Sequence, residues 1–305
     1  MWLILAFLSA AMLGCYDSFK KQALKGNAVI PVLFLNTLFS SLIFLPFILL
    51  SSTTDVLDGT VFQTARGGWE MHKFIVLKAL IVLSSWILGY FGMKHLPLTI
   101  VGPINATRPV MVLVGALLVF GERLNMWQWI GVLLAVASFL MLSRSGKKEG
   151  IDFKHDHWIY MIVGAAALGA VSGLYDKFLM ATVESGGVGL DRMMVQSWYN
   201  IYQCFMMGAM LMLLWWPKHE QTTPFHWSWS IVGVSVFLST ADFLYFYSLS
   251  MPDAMISIVS MVRRGSVIVS FMFGAMFFHE KNLKAKAVDL ALVLLGMLFL
   301  YIGSR

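Results

Sequence analysis

Apolar residues fall in ten long runs separated by short polar breaks. The runs cover about 2–22, 28–50, 73–92, 97–120, 125–143, 157–180, 192–216, 227–249, 253–278 and 284–303. Each is near the roughly 20 residues that carry a helix across the hydrocarbon core of a bilayer. None has the alternating pattern of about ten residues that marks a strand of a membrane barrel. In lipid the backbone must satisfy its own hydrogen bonds, so spans of this length are helices. The pattern predicts an all-α integral membrane protein with ten transmembrane helices. The longest break runs from Ser51 to His72 and holds Asp55, Asp58, Gly59, Gly67 and Gly68. A second, Ser143–Asp156, is basic through Arg144, Lys147, Lys148 and Lys154. The runs follow one another too closely to leave room for a folded soluble domain.

The pattern also repeats. Ala10-x3-Gly14-x-Tyr16-Asp17-x-Phe19 returns 159 positions later as Gly169-x3-Gly173-x-Tyr175-Asp176-x-Phe178. Tyr90-Phe91 matches Tyr245-Phe246, Pro97 matches Pro252, Arg108 matches Arg263 and Glu122 matches Glu280, all in the same order. The expected organisation is a five-helix unit at 1–143, a basic hinge at 144–156 and a second five-helix unit at 157–305. Five is odd, so the second unit crosses the bilayer in the opposite sense. Inverted repeats of this kind place a substrate site between the halves. The chain is then its own internal pseudo-dimer, and a monomer is expected.

Composition narrows the function classes. Hydrophobic residues make up 59% and charged residues 12%, against about 25% charged in soluble domains. The net charge of +6 comes mostly from residues placed in short loops. There it sets orientation and meets anionic lipid headgroups, and no nucleic-acid partner is implied. Cys15 and Cys204 lie inside spans, with no metal or redox spacing. Gly146-Lys147-Lys148 lacks the rest of a nucleotide-binding loop, so ATP-driven pumping by this chain is not expected. No nucleophile, metal or paired-carboxylate motif indicates an enzyme or a cofactor. His155-Asp156-His157 reads as solvated charge at the hinge.

Charges inside spans carry the sharpest signal, because each costs at least ~2.5 kcal/mol at the bilayer centre. Asp242 lies in span eight and Arg263 and Arg264 in span nine. Counting from the turn around Met251–Asp253, Asp242 and Arg263 fall at one depth on adjacent antiparallel helices, which predicts an ion pair. Arg264 points about 100° away around the helix and needs another partner. Arg108, between Pro103 and Pro109 and beside Asn105, sits on a Pro-interrupted segment. Irregular backbone at membrane depth occurs where protein or a wet cavity satisfies it. Arg108, Asn105, Asp242, Arg263, Arg264 and the repeated tyrosines Tyr90 and Tyr245 are therefore candidate substrate-binding residues, between spans three, four, eight and nine. The alternative is that the arginines only lock helices together. Gln196, Tyr199, Asn200 and Gln203 form one helix face of span seven, and Asn36 lies in span two. Lining a cavity and bonding between helices both account for Asn36, Gln196 and Asn200. Asp17 and Asp176 near span ends are candidates for gating or proton coupling, since burial favours the neutral acid; pairing with a neighbouring lysine at the interface is the competing reading. Ala10, Gly14, Gly169 and Gly173 read as small residues that let helices approach.

Two fused five-helix halves, each with Gly121-Glu122 or His279-Glu280 between its fourth and fifth helix, resemble the EamA-like branch of the drug/metabolite transporter superfamily. The resemblance implies a ten-helix basket around a central cavity. It also implies ATP-independent movement of small metabolites or drugs, commonly outward, and a plasma (inner) membrane is the expected location. The Arg263-Arg264 pair departs from the family pattern, so the substrate is read from the residues. Three arginines against Asp242 at mid-depth point to an organic anion or a zwitterion, such as an amino-acid-like metabolite, with a proton as candidate coupling ion. Efflux of lipophilic cations, flipping of a lipid carrier, and a receptor or scaffold role are the other classes. Orientation has two conflicting signals. Loops opposite the termini hold Lys20, Lys21 and Lys286 among twelve basic residues; the terminal side holds seven, Lys78 included. Positive charge would place the termini outside, whereas the resemblance implies termini in the cytoplasm.

Overall fold

A computed structural model describes residues 2–111, 125–147, 151, 153–180, 182–249, 259, 262–278, 280 and 282–303. Among the described residues the structure is helical, with no strand. The α-helices are α1 (Trp2–Leu24), α2 (Val29–Thr53), α3 (Trp69–His95), α4 (Leu98–Ala106), α5 (Met126–Lys147), α6 (His157–Met180), α7 (Arg192–Met210), α8 (Trp229–Leu249), α9 (Ser266–Met276) and α10 (Leu283–Gly303). Of these, α1, α2, α3, α6, α8 and α10 are long and apolar enough to cross a membrane. Spans four and nine are described only in part. Gly121-Glu122, His279 and the turn at Met251–Asp253 with Pro252 lie outside the described residues.

Helix ends differ from the apolar runs where polar residues continue a turn. α3 begins at Trp69, and α5 runs on through Arg144 to Lys147, so part of the expected hinge is helical. Hydropathy marks where lipid ends, whereas backbone bonding continues into the headgroup layer. α7 passes through a π turn at Leu211–Trp215 into a tight 3₁₀ turn at Trp216–Gln221, where Pro217 has no N–H to donate. α4 breaks at Thr107 before helix resumes at Arg108, and Gly265 interrupts the chain between Arg264 and α9.

Packing runs between the two halves of the chain. α1 packs chiefly on α8, α2 on α7, α3 on α6, α4 on α9 and α5 on α10. Serine hydroxyls tie four of these five pairs by donating to a facing carbonyl: Ser9 to Ala241 (2.6 Å), Ser41 to Asn200 (2.8 Å), Ser85 to Ala165 (2.7 Å) and Ser138 to Asp289 (2.7 Å). A small hydroxyl suits this task because it allows close approach and leaves no polar group facing lipid. The Lys21 ammonium donates to the carbonyls of Met93 (2.7 Å) and Leu96 (2.5 Å), satisfying the C-terminus of α3. The 54–68 loop folds back on the helices. Phe62 stacks between Phe47 of α2 and Phe243 of α8, 5.2 Å from each, and Arg66 donates to the carbonyls of Ser51 and Ser52. Trp127, Trp129 and Trp216 are exposed at helix ends, whereas Trp158 stacks on His95 with ring centroids 3.6 Å apart.

Candidate functional site

A cavity of about 180 Å³ lies among helices of both halves. Among the described residues its wall carries eight charged side chains. Five are cationic (Lys20, Lys78, Arg108, Arg263, Arg264) and three acidic (Asp17, Asp176, Asp242). Both breaks in the helical backbone, at Thr107–Arg108 and Arg264–Gly265, bring their arginines here. Arg108 directly follows the break at Thr107 and Arg264 directly precedes the one at Gly265, and both side chains line the cavity.

The ion pairs join different helices. Arg263 pairs with Asp242 of α8, and Tyr199 of α7 donates its hydroxyl to the same carboxylate at 3.0 Å. The Arg263 guanidinium also lies over the Tyr245 ring, 4.2 Å from its centroid. Lys78 of α3, only 3% exposed, pairs with Asp176 of α6. It faces the Tyr199 ring at 5.1 Å. Lys20 pairs with Asp17 one turn away at 3.4 Å and lies over the rings of Tyr16 (4.5 Å) and Tyr90 (4.9 Å). Ser270 of α9 donates to Asp17 at 3.2 Å, so that carboxylate also bridges the halves. Arg108 donates to Asn105 at 3.1 Å, and its buried Nε has no partner.

Of the residues expected from sequence, the cavity gathers Asn105, Arg108, Asp242, Tyr245, Arg263 and Arg264, together with Asp17 and Asp176. The expected Asp242–Arg263 bridge is present. Four expected residues lie outside it. Tyr90 is fully buried in the core behind Lys20. Asn36, Gln196 and Asn200 bond between helices: Ser235 donates to Asn36 at 3.1 Å, Gln196 donates to the Ser239 carbonyl at 3.4 Å, and the Asn200 carbonyl receives Ser41. A polar stripe in a membrane helix must face protein; here Gln196 and Asn200 face α8 and α2, and Tyr199 on the same helix face reaches the cavity.

Other expectations are corrected. The cavity draws on α1, α6 and Tyr199 of α7 as well as on the four spans expected. Asp17 pairs with the neighbouring Lys20, whereas Asp176 finds its partner in Lys78, far along the chain; both aspartates line the cavity. Lys20, Lys78 and Lys286 are buried within helices and contribute nothing to loop charge. Lys78 was legible: an ammonium six positions into an apolar run carries the same insertion cost that singled out Asp242. Gly14 packs against Ser266 and Val269, as a small residue between helices should. Gly169 has a different task. A Cβ there would come within 2.7 Å of the Arg108 guanidinium carbon, so its missing side chain makes room for that charge. Gly173 faces open cavity.

Glu280, second residue of the expected His-Glu pair, acts at the start of α4. Its carboxylate accepts from the backbone N–H groups of Leu98 (2.6 Å) and Thr99 (2.8 Å) and from the Thr99 hydroxyl. These are donors that no preceding turn can satisfy, and the negative charge suits the positive end of the helix.

Residues 1–144 match the EamA-like transporter family. No curated protein matches the chain. One solved structure, described as "Crystal structure of protein", is similar over 100% of this chain and 98% of its own, with a TM-score of 0.65 and 12% identity. At that identity the likeness concerns the fold alone.

Proposed function

We propose, from the premise that residues 1–144 belong to the EamA-like transporter family, that the whole chain is a ten-helix carrier. It moves a small, negatively charged organic solute across a plasma membrane, outward and without ATP. The observation that carries this reading is the cavity between the halves, with five cationic and three acidic side chains on its wall. So many charges in one membrane protein are costly unless they serve a path for solute or ion. The excess of positive charge, in walls of low dielectric, favours anions.

The way the helices pair supports alternating access. Exchange of the first five helices with the last five turns the α1–α8 contact into the α6–α3 contact. The same exchange returns α2–α7, α4–α9 and α5–α10 to themselves. A fold with this exchange symmetry has two related arrangements, one open to each side. The Lys78–Asp176 pair and the Ser270–Asp17 bond join the halves and must yield when the halves rock. Two related carboxylates, Asp17 and Asp176, are therefore where a coupled proton would act.

Efflux of lipophilic cations is disfavoured by the same excess of positive charge. The cavity is also smaller than the roughly 300–1,000 Å³ of drug-sized sites. The test is purified protein reconstituted in liposomes and loaded with mixtures of radiolabelled organic acids, amino acids and quaternary ammonium ions. Accelerated movement of anions is expected. Movement of cations alone would turn the assignment to drug efflux, and no movement of any solute would leave a receptor or scaffold.

A further inference from the structure

We infer that Arg108 and Arg264, with Asn105, form the seat of a small dianion that carries its two negative charges as carboxylates or as one phosphate group. The inference rests on the carrier reading and sharpens it, since that reading asks only for a negative charge.

Each of the three acids on the wall is matched by one cation, and two cations are left over. Lys20 is engaged by Asp17, Lys78 by Asp176 and Arg263 by Asp242. Among the described residues no carboxylate lies within ion-pair distance of Arg108 or Arg264. Among the described residues the excess is therefore two positive charges, and it resides on these two guanidiniums. They come from the equivalent broken segments of the two halves. Arg108 is held on one side by Asn105, leans on Gly169 and keeps a buried Nε without a partner. Two like charges facing one low-dielectric space repel unless an anion comes between them. The guanidinium fork matches the oxygens of a carboxylate or phosphate bidentately.

The charge balance separates solute classes. A zwitterion leaves both positive charges uncompensated. A monoanion leaves one. A lipophilic cation raises the excess to three. A dianion cancels it, and a cavity of about 180 Å³ holds only a small one. The three engaged pairs then need not open for binding and remain free to act during rocking.

The test uses the full chain in lipid nanodiscs, with binding measured by titration calorimetry for succinate, inorganic phosphate, alanine and tetraphenylphosphonium. Succinate or phosphate should bind at least about 10-fold more tightly than alanine, and tetraphenylphosphonium should not compete. Succinate without phosphate assigns a dicarboxylate; phosphate without succinate assigns a phosphate ester. Arg108→Gln and Arg264→Gln should each weaken dianion binding by about 10- to 100-fold, the effect of losing a hydrogen-bonded charge. Gly169→Ala, which displaces the Arg108 guanidinium and removes no charge, should weaken it as well. If a glutamine variant does not fold, Arg108→Lys and Arg264→Lys decide, because they keep the charge and lose the fork. Dianion affinity unchanged in the folded variants overturns the assignment, as does alanine binding as tightly as succinate, or no binding of either dianion. If alanine or tetraphenylphosphonium crosses liposomes while dianions do not, the dianion seat falls and the carrier stands. If nothing crosses, the carrier reading itself falls.

Discussion

Asp242 is held by groups from two other segments, the Arg263 guanidinium and the Tyr199 hydroxyl. Asp242→Asn leaves Arg263 charged, largely buried and without its carboxylate. Breaking a buried pair from one side costs about 3–5 kcal/mol in soluble cores, and water in the cavity lowers that figure. The double change Asp242→Asn with Arg263→Gln removes both charges and should recover a good part of the loss. Thermal stability in detergent of the two single variants and the double measures it; strictly additive losses would mean that the pair contributes no coupling. Recovery of stability without recovery of transport would place the bridge on the solute path. Glu280 is a second test at this scale. Glu280→Ala strips the start of α4 of its acceptor and should cost about 1–2 kcal/mol, the usual range for a lost cap. Glu280→Gln keeps an acceptor oxygen and should cost less. Equal melting temperatures for Glu280→Ala and the unaltered protein would refute the cap.

At the scale of elements, the serine ties between helix pairs make a graded prediction. Hydrogen bonds between membrane helices average about 0.6 kcal/mol. Ser9→Ala, Ser41→Ala, Ser85→Ala and Ser138→Ala should therefore each produce a small loss, and the losses should add, since the four sites lie on different pairs. Unfolding of the single variants and of the quadruple variant by denaturant in mixed micelles gives the comparison. One tie dominating the sum would show that the pairs are not independent. Helices and ties differed in how far the sequence revealed them. α1, α2, α6 and α10 begin and end within a few residues of the apolar runs, because the length that lipid demands is a local property. The Asp242–Arg263 bridge was also legible, since a short turn fixes the relative depth of two neighbouring helices. The Lys78–Asp176 pair spans 98 positions and the Glu280 cap 181. Such contacts depend on which helices become neighbours, and hydropathy carries no information about that. For the same reason the stripe of Gln196 and Asn200 was visible as polar, but its destination against α2 and α8 was not.

At the scale of the whole molecule, among the described residues, the chief partner of each helix lies in the other half of the chain. That arrangement has a consequence for how the protein is made. The first five helices leave the ribosome and enter the bilayer before their partners exist. Until residues beyond the hinge are synthesised, Ser9 and Ser85 lack their partner carbonyls, and Lys78 has no Asp176 to neutralise it. The early half is thus a waiting intermediate, exposed to quality-control proteases for as long as translation takes. Residues 1–147 expressed alone should be short-lived in pulse-chase labelling. Co-expression with residues 148–305 on a separate message should extend their half-life severalfold and return a complex that co-purifies. A long-lived, monodisperse first half on its own would mean that it holds itself together by contacts other than those of the full protein. Slowing synthesis across the 144–156 segment should then lower the yield of intact protein, because the vulnerable period lengthens while the finished molecule is unchanged.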